Sequence, residues 1–253
     1  MMNPSQEITV IILTLNEARH IRECIRAARR VADTVIISDS FSTDGTPEIA
    51  REEGALVHER AFDNYANQRN AALALVTTPW VLFVDADERV TPELAAEIHQ
   101  AIQQEEYAGW WIPRFNYIVG RLIRGGGWYP DYQLRLMRTE QAHYDPTREV
   151  HEVVQLRGKA GYLREHLIHY NYDSWAQFHA KQKRYAQLEA RVLHKQGIRP
   201  RPYTYLTMPV REFWRRYVTL RGYRDGYYGL KLALLMAWYT FVTYRHLGRL
   251  QRA

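Results

Sequence analysis

Residues 80–89 read Trp80-Val81-Leu82-Phe83-Val84-Asp85-Ala86-Asp87-Glu88-Arg89. An apolar run of strand length stops abruptly at two carboxylates held two residues apart. A buried strand that delivers paired acids to its carboxyl end is a seat for Mg²⁺ or Mn²⁺, because hard cations take oxygen ligands and keep positions open for substrate phosphates. The same decapeptide also fits a strand followed by a solvated acidic turn. The segments around it have to decide.

Ile8 to Leu15 is a continuous, largely β-branched run, the pattern of a strand buried on both faces. Asn16-Glu17 then opens a helix to about Arg30. Val35 to Ser38 is a second buried run ending at Asp39. After the turn Ser40 to Gly45, Thr46 is a helix N-cap with Pro47 at the first helical position. Ala55 to His58 is a third strand, Tyr65 to Leu75 a helix and Trp80 to Val84 the fourth strand. Thr91-Pro92-Glu93 repeats the cap-then-proline start. This alternation predicts an α/β fold with a mostly parallel sheet and helices on both faces. Ligands of such sheets sit outside the carboxyl ends of the strands. The polar clusters Thr14 to Glu17, Asp39 to Asp44 and Asp85 to Asp87 all fall at those ends.

Beyond about residue 105 the alternation weakens. Trp110 to Tyr117, Gln133 to Met137, Val150 to Leu156 and Leu163 to Tyr170 read as strands of a mixed region, and Gly125-Gly126-Gly127 as a flexible break. Ser174 to Lys195 is helical and highly charged, Gly197 to Pro202 a linker, and the chain from Val210 onward helical with a break near Gly222 to Gly229.

At 253 residues and 46% hydrophobic, the chain is long enough to bury a sizeable core. The one cysteine, Cys24, excludes a disulfide framework or a thiolate metal site and fits a reducing compartment. No secretory leader is expected from the polar opening. Leu232 to Val242 is too short to span a bilayer, which takes roughly 20 apolar residues. The net charge of +6 is uneven: residues 200–253 hold ten Lys/Arg against two acids, or +8, which leaves −2 for the rest. A basic, aromatic tail on a near-neutral body suits an anionic surface.

Four segments in order, Thr14-Leu15-Asn16-Glu17, Asp39 to Thr46, Gln68-Arg69-Asn70 and Asp85-Ala86-Asp87-Glu88, resemble the family 2 glycosyltransferases with the GT-A nucleotide-sugar-binding fold. Trp128 to Leu136, Val150-His151-Glu152 and Gly222 to Leu230 extend the similarity to the WaaE-type transferases of the lipopolysaccharide core. The resemblance implies a nucleotide-sugar-binding half over residues 1–105, an acceptor-binding and catalytic half over 106–198, and a basic aromatic helical tail over 199–253. It implies inverting transfer of a hexose, with glucose expected, from a UDP-sugar to a lipopolysaccharide-core or lipid-linked glycan, assisted by Mg²⁺ or Mn²⁺. A bacterial, cytoplasmic protein peripheral on the inner membrane is expected, with no nucleic-acid partner.

The roles follow from the same resemblance. Asp87 is the expected metal ligand, with Asp85 nearer the ribose or a metal-bound water. Thr14 and Leu15 would meet the base through backbone groups beside Asn16 and Ala86. Asp39 would accept from the uracil N–H, or else cap a turn. Glu17 would reach the ribose, or else complement a helix dipole. Arg69 would reach the nucleotide, or else be a solvated helix arginine. The family usually carries its catalytic base as a Glu-Asp pair in the second half of the chain. This sequence departs from that, offering Glu152 first and Asp131 second, with a strand-edge salt bridge as the other reading of Glu152. Arg135 would pair with a phosphate, an acceptor or a structural acid. His169 would complete the metal shell or be a core histidine. Trp128 and Tyr129 are the candidates to stack on sugars, with Trp110 and Trp111 assigned to the core. The tail's Trp, Tyr and Arg residues suit a membrane interface, or a helical hairpin packed on the catalytic domain.

Two rivals remain. Haloacid-dehalogenase-type phosphohydrolases also use Asp-x-Asp, but on the first strand and followed two residues on by Thr or Val, where this chain has Arg89. A non-catalytic basic membrane or nucleic-acid adaptor would suit the tail, but interleaved Tyr and Arg without a nucleic-acid-binding motif is a weak signal.

Overall fold

The computed structural model describes residues 7–145 and 154–251. In chain order the elements are β1 (Ile8–Thr14), α1 (Ile21–Ala28), β2 (Thr34–Asp39), α2 (Thr46–Glu52), β3 (Leu56–Glu59), α3 (Tyr65–Leu73), β4 (Trp80–Asp85), β5 (Glu88–Val90) and α4 (Pro92–Ala101). There follow β6 (Gly109–Ile118), β7 (Arg121–Ile123), β8 (Asp131–Arg138), β9 (Ala142–Tyr144), β10 (Val154–Leu156), β11 (Ala160–Tyr162) and β12 (Leu167–Tyr172). Three helices close the chain: α5 (Trp175–Lys195), α6 (Thr204–Trp214) and α7 (Gly226–Leu250). They divide into two compact units, residues 1–114 with 132–169, and residues 115–131 with 170–253.

The first unit is built on a sheet in the order β3-β2-β1-β4-β8-β6-β12-β5, with β11 also on β6. Its first four strands are parallel, as the continuous apolar runs predict. From β8 onward the pairing is mixed: β8 runs antiparallel to β4, and β12 antiparallel to β5. Successive side chains of a strand face opposite sides, and the core divides accordingly. Val10, Ile12, Ile37, Leu82 and Val84 pack with Ile25 of α1 and Leu94 of α4. Ile11, Ile36, Val81 and Phe83 pack with Ala66 and Ala72 of α3. Helices therefore cover both faces. Register brings Thr14 beside Asp39, and Leu13 beside Asp85, so the three polar strand ends lie together.

Local chemistry sets the helix starts. Thr91 caps α4, its hydroxyl accepting from the Leu94 N–H at 3.1 Å. Thr46, expected as a cap, is instead the first helical residue, preceded by Gly45 at φ 87°. Its hydroxyl donates to Asp44 at 2.5 Å, so it serves the loop and not the helix end. α1 begins at Ile21, later than Asn16, because Asn16 is left-handed (φ 58°) and bonded to the next loop.

The second unit gathers Ile118, Ile123, Tyr172, Phe178 and Leu232 into a core of its own. Ser174 caps α5, accepting from the Gln177 N–H. α6 contains Pro209 and runs on through a π-helical turn over residues 215–219. Gly125 to Gly127, read as a flexible break, are packed: a Cβ on Gly125 would overlap the Arg221 carbonyl, and one on Gly127 would press on Leu220. The glycines serve close approach here. Among the described residues no helix is long and apolar enough to cross a membrane.

Candidate functional site

The loops after β1 and β2 are stitched together by their own polar groups. Thr14 Oγ1 donates to Asp39 Oδ1 at 2.7 Å, and Ser42 donates to the same carboxylate through its N–H (2.7 Å) and its hydroxyl (2.6 Å). Asp39 is fully buried. Its carboxylate caps the β2–α2 turn, the second of the two roles expected for it. Asn16 donates its N–H to Ser42 Oγ (2.8 Å) and accepts from the Thr43 N–H (2.9 Å). Glu17 donates its N–H to Thr46 Oγ1, and Ala18 to Asp44 Oδ2. Burial opposes ionisation of Asp44, but hydrogen bonds from Thr46 and Ala18 outweigh it and hold the carboxyl below its usual range. Leu15 and Phe41 stand exposed on these loops. Phe41 is left-handed (φ 61°), uncommon for a bulky residue and typical of ligand-binding loops.

At the end of β4 the acids have different neighbours. Arg135 grips Asp85 with both guanidinium nitrogens, while Arg69 approaches Asp85 Oδ1 at 3.7 Å. Glu88 is wholly buried, and its Oε1 accepts from Arg114 (2.8 Å) and Arg135 (2.9 Å). Its Oε2 accepts from the Asp85 N–H at 2.9 Å, closing the turn. Ala86 is buried in that turn, its carbonyl accepting from Arg89. Burial works against the charge of Asp85, but Arg135 and Arg69 prevail and hold the carboxyl well below the usual carboxylate range. Burial likewise opposes the charge on Arg135, and Asp85 with Glu88 reverses the balance and raises its pKa. Arg69 lies over the rings of Phe83 (5.2 Å) and Tyr144 (5.5 Å), and burial raises the Tyr144 hydroxyl. The residues flanking Arg69 are structural: Gln68 donates to Ser38 Oγ, and Asn70 exchanges two bonds with the Tyr144 backbone.

Asp87 points elsewhere. Its carboxylate lies 3.3 Å from His169 Nε2, with side chains 28% and 9% exposed respectively. β12 pairs His169 opposite Glu88, which carries the imidazole to this turn. Carboxylate oxygen with imidazole nitrogen suits Mn²⁺ or a similar ion. Among the described residues no three His, Cys, Asp or Glu side chains form a metal cage by themselves. A two-residue seat that leaves positions for phosphate oxygens agrees with that. Asp87 and His169 fit a metal, while Asp85, also expected at the metal, carries Arg135 across both of its oxygens. Arg135, 5% exposed, pairs with the acids Asp85 and Glu88, one of the roles expected for it.

In the second unit, Asp131 Oδ2 accepts from Asn116 at 3.1 Å, and the same amide donates to the Trp128 carbonyl at 2.8 Å. Trp128, expected to stack on a sugar, is half-buried in the core, edge-on to Tyr172 and 5.6 Å from the Arg216 guanidinium. Tyr129 precedes the cis Pro130 and packs 5.6 Å from Phe115. Glu152 and His151 lie outside the described residues.

Residues 9–170 match the model of "Glycosyl transferase family 2". The chain belongs to glycosyl transferase family 2. A relative from Rhizobium meliloti, "Lipopolysaccharide core biosynthesis glycosyltransferase LpsC", is 30% identical over 96% of this chain and 92% of its own. An uncharacterised glycosyltransferase of Rickettsia felis is 28% identical over 94% of this chain and 88% of its own. Among solved structures, a mannosyltransferase from Pyrobaculum calidifontis in complex with GDP-Man and Mn²⁺ superposes with TM-score 0.58 at 14% identity, covering 95% of this chain and 86% of that one. S. aureus TarS in complex with UDP superposes at 0.51 and 15% identity, covering 98% and 91%. The fold is that of the GT-A glycosyltransferases.

For this family 2 enzyme the structure brings together Arg69, Asp85, Asp87, Arg135 and His169 in one cluster, and Thr14, Asn16 and Asp39 in one pair of loops. Arg114 and Tyr144 were not singled out in the sequence, and Glu88 and Phe41, though within the quoted motifs, were given no role of their own. The signal available was a lone charge inside an apolar strand, as Arg114 is between Pro113 and Phe115.

Proposed function

We propose that the chain moves a hexose, with inversion, from UDP-glucose to a lipopolysaccharide-core glycan. The observation that carries this is the division of labour at the β4 end, where Asp87 lies against His169 while Asp85 is held by Arg135. A divalent ion held there would offset the negative charge gathering on the diphosphate as the glycosidic bond breaks. The sugar nucleotide lies over the Thr14 to Glu17 and Asp39 to Thr46 loops, with the exposed Leu15 and Phe41 beside the base. Asp85, a third exposed, faces the ribose. Glu152 takes the proton of the acceptor hydroxyl as its oxygen attacks the anomeric carbon and the diphosphate departs from the opposite side. Asp131 is the alternative base. The name of the Rhizobium relative supports the acceptor class, and the Mn²⁺ and nucleotide complexes of the structural neighbours support the donor class.

The tail is proposed to rest on an anionic membrane surface. Leu206, Val210 and Trp214 on α6, and Leu230, Leu234 and Trp238 on α7, recur every four residues and are exposed. The +8 of residues 200–253 gives the matching charge. Because Leu232 of the same tail is in the unit's core, substitution tests this better than deletion. Trp214→Ser with Trp238→Ser should release the protein from phosphatidylglycerol vesicles, and unchanged sedimentation refutes the idea.

Calorimetry of UDP with and without Mn²⁺ tests the central claim. UDP should bind only weakly without the ion, and metal-independent binding or none at all overturns it. UDP-glucose should be hydrolysed slowly without acceptor, ahead of GDP-mannose. Glu152→Gln should abolish transfer and spare UDP binding; near-normal turnover moves the base to Asp131.

A further inference from the structure

Two adjoining cavities in the second unit are lined by arginines that the proposed transfer reaction does not use. The first, about 430 Å³, is bordered by Arg121, Arg224, Asp225 and Tyr227. The second, about 260 Å³, is bordered by Arg124, Tyr129, Arg221 and again Arg224. Among the described residues none of these four guanidiniums is in an ion pair. The one acid on the walls, Asp225, is engaged, accepting from the backbone N–H of Arg124 (3.0 Å) and of Gly125 (2.7 Å). Four cations around a concavity whose only carboxylate is turned to amides repel one another until an anion enters.

The walls are held in place. Asp225 ties residues 124 and 125 to the start of α7, the Gly126 N–H donates to the Leu220 carbonyl at 2.8 Å, and Arg216 donates to the Gly126 carbonyl at 2.8 Å. Gly222 and Gly229 approach so closely that a Cβ on either would strike backbone. Arg221, just before Gly222, is left-handed at φ 56°. A guanidinium fork matches phosphate geometry with paired N–H donors. Tyr129, whose ring packs 5.6 Å from Phe115, also lines the second cavity.

We propose that this pair of cavities binds the phosphate ester of a sugar, the phosphate lying among the arginines around Arg224. The sugar part of this assignment rests on the transferase reading; the anion part does not. Phosphate chemistry could also be presented by a lipid headgroup, and the experiment separates the two. Glucose 6-phosphate and glucose are titrated calorimetrically into the full chain and into the Arg121→Gln/Arg224→Gln double variant. In parallel, sedimentation is measured with phosphatidylcholine vesicles, with and without phosphatidylglycerol. The wild type should bind the hexose phosphate and not glucose. The double variant should bind it at least ~10-fold more weakly, having lost two charge-assisted contacts, with its UDP affinity and thermal midpoint unchanged. A chain that fails to bind UDP at all would sink the transferase reading and leave this titration readable. Equal hexose-phosphate affinity in wild type and variant overturns the sugar-phosphate site. If only phosphatidylglycerol binding falls ~10-fold, the anion site stands and its phosphate belongs to the lipid. If neither falls, the site is refuted.

Discussion

Arg135 of the first unit and Arg224 of the second are both arginines beside a carboxylate, yet they behave differently. Arg135 is buried and gives its donors to Asp85 and Glu88, while Arg69 and Arg114 complete the balance. Arg224 is exposed, and its neighbour Asp225 spends its oxygens on backbone amides. A buried charge persists only with a partner inside the protein. An exposed one costs little alone, so a cluster of unpaired exposed cations points outward to an anion that arrives with a ligand. The arginines around Asp85 and Glu88 are held by acids, and the four around Arg224 are in no ion pair among the described residues.

The largest effect should come from breaking the first arrangement. Arg135→Met leaves Glu88 and Asp85 short of their main counter-charge, and urea unfolding should show a loss of roughly 3–5 kcal/mol. A loss under ~1 kcal/mol would mean that water and Arg114 already satisfy the acids, and the contrast between the units would fail. Gly125→Ala comes next. Its Cβ would meet the Arg221 carbonyl, and backbone cannot yield as a side-chain tip does. A cost of about 1–3 kcal/mol is expected, and a neutral result would show that the loop is looser than its packing implies.

Acid titration gives a smaller, screened effect. The Asp85 carboxyl is held below its unfolded value of about 3.9. Its ionic contribution is therefore present above that pH and lost as the pH falls through it toward the folded pKa. The urea midpoint of the wild type should fall more steeply than that of Asp85→Asn between about pH 5 and pH 3. Parallel curves would remove Asp85 from the acid response. Because its side chain is 36% exposed, solvent tempers the difference.

Much of this contrast was beyond reach of the sequence, for identifiable reasons. β1, β2 and β4 were legible because strands buried on both faces read as unbroken apolar runs. Asp85 and Asp87 stood out because they end such a run, and the charged helical pattern from Ser174 to Lys195 corresponds to α5. What separates the two acids was hidden. Arg135 reaches Asp85 through the antiparallel pairing of β8 with β4, and His169 reaches Asp87 through β12 with β5. Periodicity says nothing about such register. The neighbours of Asp39 and Trp128 were hidden for the same reason: Thr14 with Ser42, and Tyr172 with Arg216, come together only in the fold.

The smallest effect is the most discriminating. If the arginines around Arg224 carry no structural load, Arg121→Gln/Arg224→Gln should change unfolding free energy by no more than ~0.5 kcal/mol, as for surface substitutions away from special features. Relief of repulsion among four neighbouring cations should set the sign, with the variant equal to the wild type or slightly more stable at low salt. The gain should vanish as added salt screens the repulsion. Destabilisation by more than ~1 kcal/mol at any salt would mean that one of these guanidiniums holds the turn over residues 219–226 in place. The two units would then use arginine in the same way, and the case for an incoming phosphate would lose its premise.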